Sequence, residues 1–291
     1  MSPPADAAER IREADRLLES CTVCPRRCGA NRKKGETGFC GVDARVIVST
    51  AAPHFGEEAP LVGVGGSGTI FLAGCNLLCV YCQNYDLSHG REGQVSSTAE
   101  IVRMMLQLEG MGCHNINFVT PTHYTPQLMD AIYEARHRGL RVPIVYNCGG
   151  YESVETLRLL DGFVEIYMPD IKYADREPAE KYSQAPDYFE VAKAAVREMH
   201  RQVGDLVIEN GVATRGLLVR HLVLPNGMAG SKAVVDFLAD EISPNTYINV
   251  MRQYRPVYEA YMYPEIARYP TAEEFWYAHD YARSRGLRLD R

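Results

Sequence analysis

The sequence predicts an α/β protein, a partial (β/α)6 TIM-like barrel preceded by an N-terminal cysteine-rich, metal-binding extension. Six apolar runs of strand length, at about 69–74, 115–120, 142–147, 163–168, 217–224 and 246–251, alternate with stretches of 3.6-residue apolar periodicity. Alternating βα units build a parallel sheet with functional residues at the C-terminal strand ends, and six units are too few for a closed eight-unit barrel. The 291 residues, 46% of them apolar, suffice for one such core or two smaller units. The extension is predicted from the nine cysteines, most of which fall in two tight groups: Cys21, Cys24, Cys28 and Cys40, then Cys75, Cys79 and Cys82.

From the N-terminus, residues 5–20 place Ala7, Ile11, Ala14, Leu17 and Leu18 at helical spacing and read as an amphipathic helix. Residues 21–41 are rich in Gly, Arg and Lys and carry too little apolar surface to hold a conformation by burial, a deficit that bound metal would make good. Residues 45–68 combine a short β-like run, Val46 to Val48, with Pro53, Gly56, Pro60 and a glycine-rich end, and read as a linker. The expected division is therefore 1–65 for the N-terminal helix and the four-cysteine metal-binding segment, and 66–291 for the barrel with a C-terminal extension. Ser97-Thr98-Ala99-Glu100 has the capping-box pattern that starts a helix, and the last helix is expected to begin near Thr271. Glu209-Asn210-Gly211 offers the turn of a small hairpin within 204–216.

The formal charge of −6 gives no general attraction to nucleic acid or anionic membrane. No apolar run approaches the roughly 20 residues that span a bilayer, and the first ten residues lack the apolar core of a signal peptide. A cytoplasmic location is expected, where thiols stay reduced and clustered cysteines point to metal or redox chemistry.

Cys75, Cys79 and Cys82 follow an apolar strand within one loop that can aim all three thiols at one centre. Thiolates bind iron–sulfur clusters, and a cubane with three protein ligands keeps one iron open to a substrate. Cys75-x3-Cys79-x2-Cys82, with Tyr81 just before the third cysteine, resembles the signature of the radical SAM superfamily. The resemblance implies a [4Fe–4S] cluster on these cysteines and S-adenosyl-L-methionine chelated by the open iron. Reductive cleavage would then give a 5′-deoxyadenosyl radical that abstracts a substrate hydrogen.

Over most of residues 20–265 the chain looks closest to the pyruvate formate-lyase activating-enzyme group. Asp170 and Lys172 are similar to that group's Asp-x-Lys motif after the fourth strand, which implies contact with S-adenosylmethionine; a plain ion pair is the alternative. The segment from Arg220 to Gly227 resembles the fifth-strand motif and places His221 near adenosine, or else in ordinary packing. Asn147 looks like part of the group's third-strand end at the ribose. Where most relatives carry Gly-Gly-Glu after the second strand, this chain has Val-Thr-Pro-Thr-His-Tyr, and Thr120, Thr122 and His123 are expected to take over that polar task. The resemblance further implies a protein or peptide substrate and reduced flavodoxin or ferredoxin as electron donor. Modification of RNA or a small metabolite, and a non-catalytic zinc-binding interaction module, are the alternatives.

Cys21, Cys24, Cys28 and Cys40 supply four soft ligands, enough for zinc or an auxiliary [4Fe–4S] cluster. The nearby basic run Arg26, Arg27, Arg32, Lys33 and Lys34 reads as a solvated face, with nucleic-acid contact the minority reading. Cys113 and Cys148 read as buried apolar residues, Cys148 with a second reading as a substrate-side thiol. Arg252, Gln253 and Tyr254 either shape a substrate pocket or belong to a tyrosine-rich lid.

Overall fold

The computed structural model of the protein describes residues 3–290. Its strands are β1 (Val46–His54), β2 (Ser67–Leu72), β3 (Gln94–Ser96), β4 (Ile116–Val119), β5 (Ile144–Cys148), β6 (Ile166–Pro169), β7 (Val207–Glu209), β8 (Val212–Leu222), β9 (Tyr247–Met251) and β10 (Arg288–Leu289). They form one sheet in the order β10-β9-β8-β6-β5-β4-β2-β1-β3, with β7 paired to β8 off this path. The neighbouring pairs from β2 through β4, β5, β6, β8 and β9 are all parallel, so the six predicted strands are the barrel staves in chain order.

The helices that flank or cap the sheet are α1 (Ala7–Arg16), α2 (Ala59–Val62), α3 (Tyr85–Ser88), α4 (Thr98–Gly110), α5 (Thr125–His137), α6 (Val154–Leu159), α7 (Arg176–Ser183), α8 (Tyr188–Val203), α9 (Ser231–Phe237) and α10 (Ala272–Ser284). The predicted capping box is formed: Glu100 N meets Ser97 Oγ at 3.3 Å while Ser97 N donates to Glu100 at 2.8 Å. Thr271 and Glu274 repeat it at the start of α10. The hairpin expected within 204–216 is β7 turning through Asn210-Gly211 into β8. Among the described residues no helix is long and apolar enough to cross a membrane.

Strand alternation splits the apolar residues between two cores. One face of each stave points into the lumen, where Val145, Ile166, Met168, Leu218 and Tyr247 pack around Leu61 of α2. The other face packs against the helices in a larger core that includes Phe118, Tyr146, Tyr167, Val219 and Ile248. Staves buried on both faces read as continuous apolar runs, which is why the sequence shows them so clearly.

Residues 45–68 hold more structure than a linker. β1 is nine residues long and pairs antiparallel with β2 on one side and β3 on the other. The chain then crosses from β1 to α2, which packs on β8. On the way Glu58 enters the lumen and accepts from Arg220 Nε at 2.6 Å and from Asn249 Nδ2 at 2.8 Å. Arg220 also holds Glu57. Burial pushes the Glu58 carboxyl up, but the Arg220 guanidinium and the Asn249 amide outweigh it and hold the group below its ordinary value.

Glu58→Gln is expected to cost on the order of 3 kcal/mol in denaturant unfolding, because removing one partner of a buried pair leaves charge uncompensated. The Glu58 contribution is present above the ordinary carboxylate range and fades as pH falls through its lowered value, so the gap between wild type and variant should narrow in acid. A gap that widens in acid would contradict this account. Lys33→Ala, which removes surface pairs with Asp15 and Glu19, should leave the midpoint unchanged.

Candidate active site

The C-terminal ends of the staves open onto a cavity of about 380 Å³. Cys75, Cys79, Tyr81 and Cys82 line it from the loop after β2, Thr120 from the end of β4, Asn147 from β5, and Asp170 and Lys172 from beyond β6. Residues far apart in sequence thus meet because parallel strands bring equivalent ends to one face.

Each thiol of the loop has a hydrogen-bond donor. Leu77 N approaches Cys75 Sγ at 3.3 Å, Ser183 Oγ donates to Cys79 Sγ at 3.0 Å, and Ser88 Oγ donates to Cys82 Sγ at 3.2 Å. Burial, then the charges of Cys79 and Cys82, push the Cys75 thiol up to about 12. The three groups therefore share one electrostatic environment, whose mutual repulsion a bound cation would relieve. Among the described residues no three Cys, His, Asp or Glu side chains form a site for a single metal ion. A four-iron cubane takes its thiolates on separate irons, and a hydrogen-bond donor to each sulfur suits such a cluster.

Lys172 Nζ donates to Asp170 Oδ2 at 2.5 Å. Burial would lower the Lys172 pKa, but the Asp170 carboxylate dominates and raises it, so the ammonium stays charged. Thr120 takes a φ of 61°, a left-handed conformation rare for a β-branched residue, and its N–H donates to Asn147 O at 2.9 Å. Tyr81 is buried in a tyrosine cluster, its ring 5.6 Å from Tyr254 and 6.2 Å from Tyr173.

Thr122, His123 and His221 are not among the residues lining the cavity. Thr122 Oγ1 donates to Glu152 at 2.6 Å. His123 Nε2 bonds Ala73 O at 2.8 Å and its carbonyl accepts from Arg32 at 2.5 Å, so it braces the exit of β2; burial outweighs the Ala73 hydrogen bond and, with a smaller push from Arg32, holds it neutral with a pKa of about 3. His221 is enclosed between Ile171 O and Ser231 Oγ, at 2.7 and 2.8 Å, so the packing reading holds for it. Of the sixth-strand residues Gln253 lines the cavity, whereas Tyr254 is buried against Ile266 O and Arg252 lies over the Phe275 ring. Cys148 lines the cavity, its thiol held protonated by burial and by Glu152. Cys113 is buried.

The N-terminal cysteines lie near one another: Cys24 within the field of Cys40 and Cys21, and Cys21 within that of Cys28. Cys28 Sγ lies against Gly38, 2.2 Å from where a Cβ would stand. The basic run does not form one solvated face. Arg32 is 1% exposed and bonds Asp43 O and His123 O, Arg26 is bound to main-chain carbonyls, and Arg27, Lys33 and Lys34 remain at the surface.

Sequence reasoning misses Glu57, Glu58, His54 and Arg220 as cavity groups or their supports. It also misses Glu152, 3% exposed, which takes hydrogen bonds from Thr122 and, at 3.2 Å, from Tyr146 Oη. Burial pushes its carboxyl up to about 8 despite those bonds. Adjacent acids in a Gly-Pro segment, or one Glu after a Gly-Gly-Tyr turn, follow no spacing rule that names a partner.

These features place the chain among enzymes that use a thiolate-bound cluster at the mouth of an incomplete parallel barrel. The family model of the radical SAM superfamily matches residues 69–216, and the chain belongs to that superfamily. An uncharacterized protein of Methanocaldococcus jannaschii is 32% identical over 291 residues, covering 96% of this chain and 79% of that one. Methylornithine synthase (PylB) superposes with a TM-score of 0.51 at 11% identity, covering 99% of this chain and 72% of that one. HydG, a maturase of the [FeFe]-hydrogenase, gives 0.53 at 14% identity, covering 98% and 62%. At such identities these two structures speak to the fold alone. The protein is a radical SAM enzyme, and membership brings a [4Fe–4S] cluster and S-adenosylmethionine as cofactors, which sets aside the zinc-binding interaction module.

The raised Glu152 pKa means that the folded protein holds this proton more tightly than the unfolded chain. Its contribution is full below the ordinary carboxylate range and is lost as pH rises toward 8. Relative to Glu152→Gln, wild-type unfolding free energy should therefore decline with rising pH, by at most about 1.4 kcal/mol per pH unit. A difference independent of pH would show that Glu152 is ionised in the fold.

Proposed function

We propose that the protein abstracts hydrogen from a protein or peptide substrate, as an activase of a glycyl-radical enzyme does, with reduced flavodoxin or ferredoxin as electron donor. The observation that carries this reading is the meeting of Cys75, Cys79, Cys82, Asp170 and Lys172 in one cavity. When bound, the cluster and S-adenosylmethionine supply a carbon-centred radical that removes a hydrogen atom from the substrate. Cys75, Cys79 and Cys82 would ligate the cluster. Asp170 and Lys172 offer a carboxylate and an ammonium side by side, the complement of a ligand carrying both charges. Asn147 and Thr120 stand beside them to orient the sugar and the amino end, and Tyr81 supports the loop from below.

Two features support a polypeptide substrate. A cavity of about 380 Å³ is near the lower end for small-molecule sites, so cofactors that fill it leave the substrate to be met at the rim. Exposed aromatic rings adjoin cavity-lining residues in the chain: Phe55, 64% exposed, lies between His54 and Gly56, and Tyr85, which follows Asn84, stacks on Tyr258 at 5.2 Å. Aromatic side chains are the usual anchors of protein contacts. The RNA reading leans on the basic run at 26–34, which the fold disperses. Cys21, Cys24, Cys28 and Cys40 are proposed to hold a second metal, zinc or an auxiliary [4Fe–4S] cluster.

After anaerobic reconstitution and reduction with dithionite, the wild type is expected to form 5′-deoxyadenosine from S-adenosylmethionine and Cys79→Ala to form none. Asp170→Asn should lower the yield about 10- to 100-fold, the value of one hydrogen bond to a charged group. Iron-loaded wild type that neither binds nor cleaves S-adenosylmethionine would end this reading. Counting iron, sulfide and zinc in the Cys24→Ser protein assigns the N-terminal metal, and an unchanged count would remove that site.

A further inference from the structure

Arg26 lies between Cys24 and Cys28, far in sequence from the loop that carries the cavity thiols. Its guanidinium nevertheless reaches that loop. Nε donates to Asn76 O at 2.8 Å, Nη2 to Ser183 O at 2.8 Å, and Nη1 to Gln184 O. The guanidinium carbon stands 3.8 Å from the Phe39 ring centre and 5.1 Å from that of Tyr151. Among the described residues its donors go to main-chain carbonyls rather than to a carboxylate.

The carbonyls it grips belong to both sides of the thiol loop's surroundings. Asn76 follows Cys75 directly, and its own amide donates to Tyr151 O at 2.7 Å, the residue that flanks Arg26. Ser183 carries the hydroxyl that meets Cys79 Sγ at 3.0 Å, and Tyr173 Oη lies 2.8 Å from that hydroxyl. One planar fork thus fixes the separation between the Cys75 end of the loop and the donor to Cys79. A lysine, a point charge on a flexible stem, cannot bridge these carbonyls in the same geometry. Nearby, a Cβ on Gly74, whose φ is +84°, would stand 2.9 Å from Cys40 O, so the N-terminal segment presses on the start of the loop as well.

We propose that Arg26 is a positioning residue for the cluster, holding the carbonyls of Asn76 and Ser183 so that Cys75, Cys79 and the hydroxyl donated to Cys79 keep their mutual placement. The N-terminal cysteine segment thereby sets the environment of thiolates on the barrel. The inference rests on the reading that Cys75, Cys79 and Cys82 hold a [4Fe–4S] cluster. Hydrogen bonds to sulfur tune cluster potential, so displacement of Ser183 has a signature beyond stability.

The test uses the reconstituted full-length protein with Arg26→Ala, Arg26→Lys, Ser183→Ala and Arg27→Ala. Two quantities are read for the part of the iron–sulfur signal that Cys79→Ala lacks: the rate of iron release to a chelator and the midpoint potential by EPR-monitored titration. Arg26→Ala and Arg26→Lys should each release iron about tenfold faster, as loss of a charged hydrogen bond implies. Their midpoint potential should move in the same direction as that of Ser183→Ala. Arg27→Ala, whose side chain is exposed and paired with Glu155, should match wild type in both. Should Arg26→Ala fail to fold, Arg26→Lys decides. Wild-type release and potential in Arg26→Lys overturn the proposal, as does faster release without the potential shift. If Cys79→Ala retains the whole signal, the cluster assignment itself is wrong and the proposal falls with it.

Discussion

Six parallel staves cover too little arc to close on themselves, and the sheet ends at β3 on one side and β10 on the other. The connection from β1 to β2 reaches back across the lumen to the far staves, and its anchor is an ion pair. Glu58 enters the lumen and meets Arg220 of β8 at 2.6 Å and Asn249 of β9 at 2.8 Å. A charge so deeply buried is tolerated only with its partners in place, and Arg220 is shared with a second carboxylate, Glu57. Beneath this network lies the apolar lumen around Leu61; above it lies the cavity. The polar floor of the site and the tie from the β1–β2 connection to β8 and β9 are the same group of atoms.

The thiol loop shows the same economy of apolar material. It is held through hydrogen bonds to elements far along the chain: Val80 N to Tyr182 O, Glu259 N to Val80 O, Arg26 to Asn76 O, each between 2.8 and 3.0 Å. Donors to the three sulfurs come from the loop itself, from α3 and from α7. A thiol loop held this way takes its geometry from the tertiary fold. Its sequence signature names the thiols but not the scaffold around them.

That division explains what is legible in the sequence. The staves are readable because strands buried on both faces repeat long apolar runs, and the capping boxes at Ser97 and Thr271 because their partners lie three residues away. The cavity thiols are readable from their spacing and Asn147, Asp170 and Lys172 from the resemblance to the activating-enzyme group, and the parallel topology brings all of them to one cavity. β1 reads as three residues of a linker because Pro53 and Gly56 break its pattern, although an edge position tolerates a proline. Thr122 and His123 are misplaced because residue type suggests hydrogen-bonding capacity without saying that Glu152 and Ala73 O already use it. Arg26 reads as solvated because nothing local announces carbonyl partners 50 and 157 residues away.

The departure from Gly-Gly-Glu can also be followed to an electrostatic consequence. Near the end of β4 the buried carboxyl is Glu152, but burial raises its pKa to about 8 and its oxygens are turned to Thr122 and Tyr146, so it supplies no anion to the cavity near neutral pH. The carboxylates that do line the cavity are Glu57 and Asp170. Glu57 is taken up by Arg220 and by His54 Nδ1 at 2.9 Å. Asp170 is held by Lys172, an ion pair that a ligand carrying both charges can open by exchanging one partner for the other at each end. On the function proposed above, Asp170 is therefore the carboxylate of the cavity free to exchange its partner for a ligand, with the matching cation, Lys172, beside it.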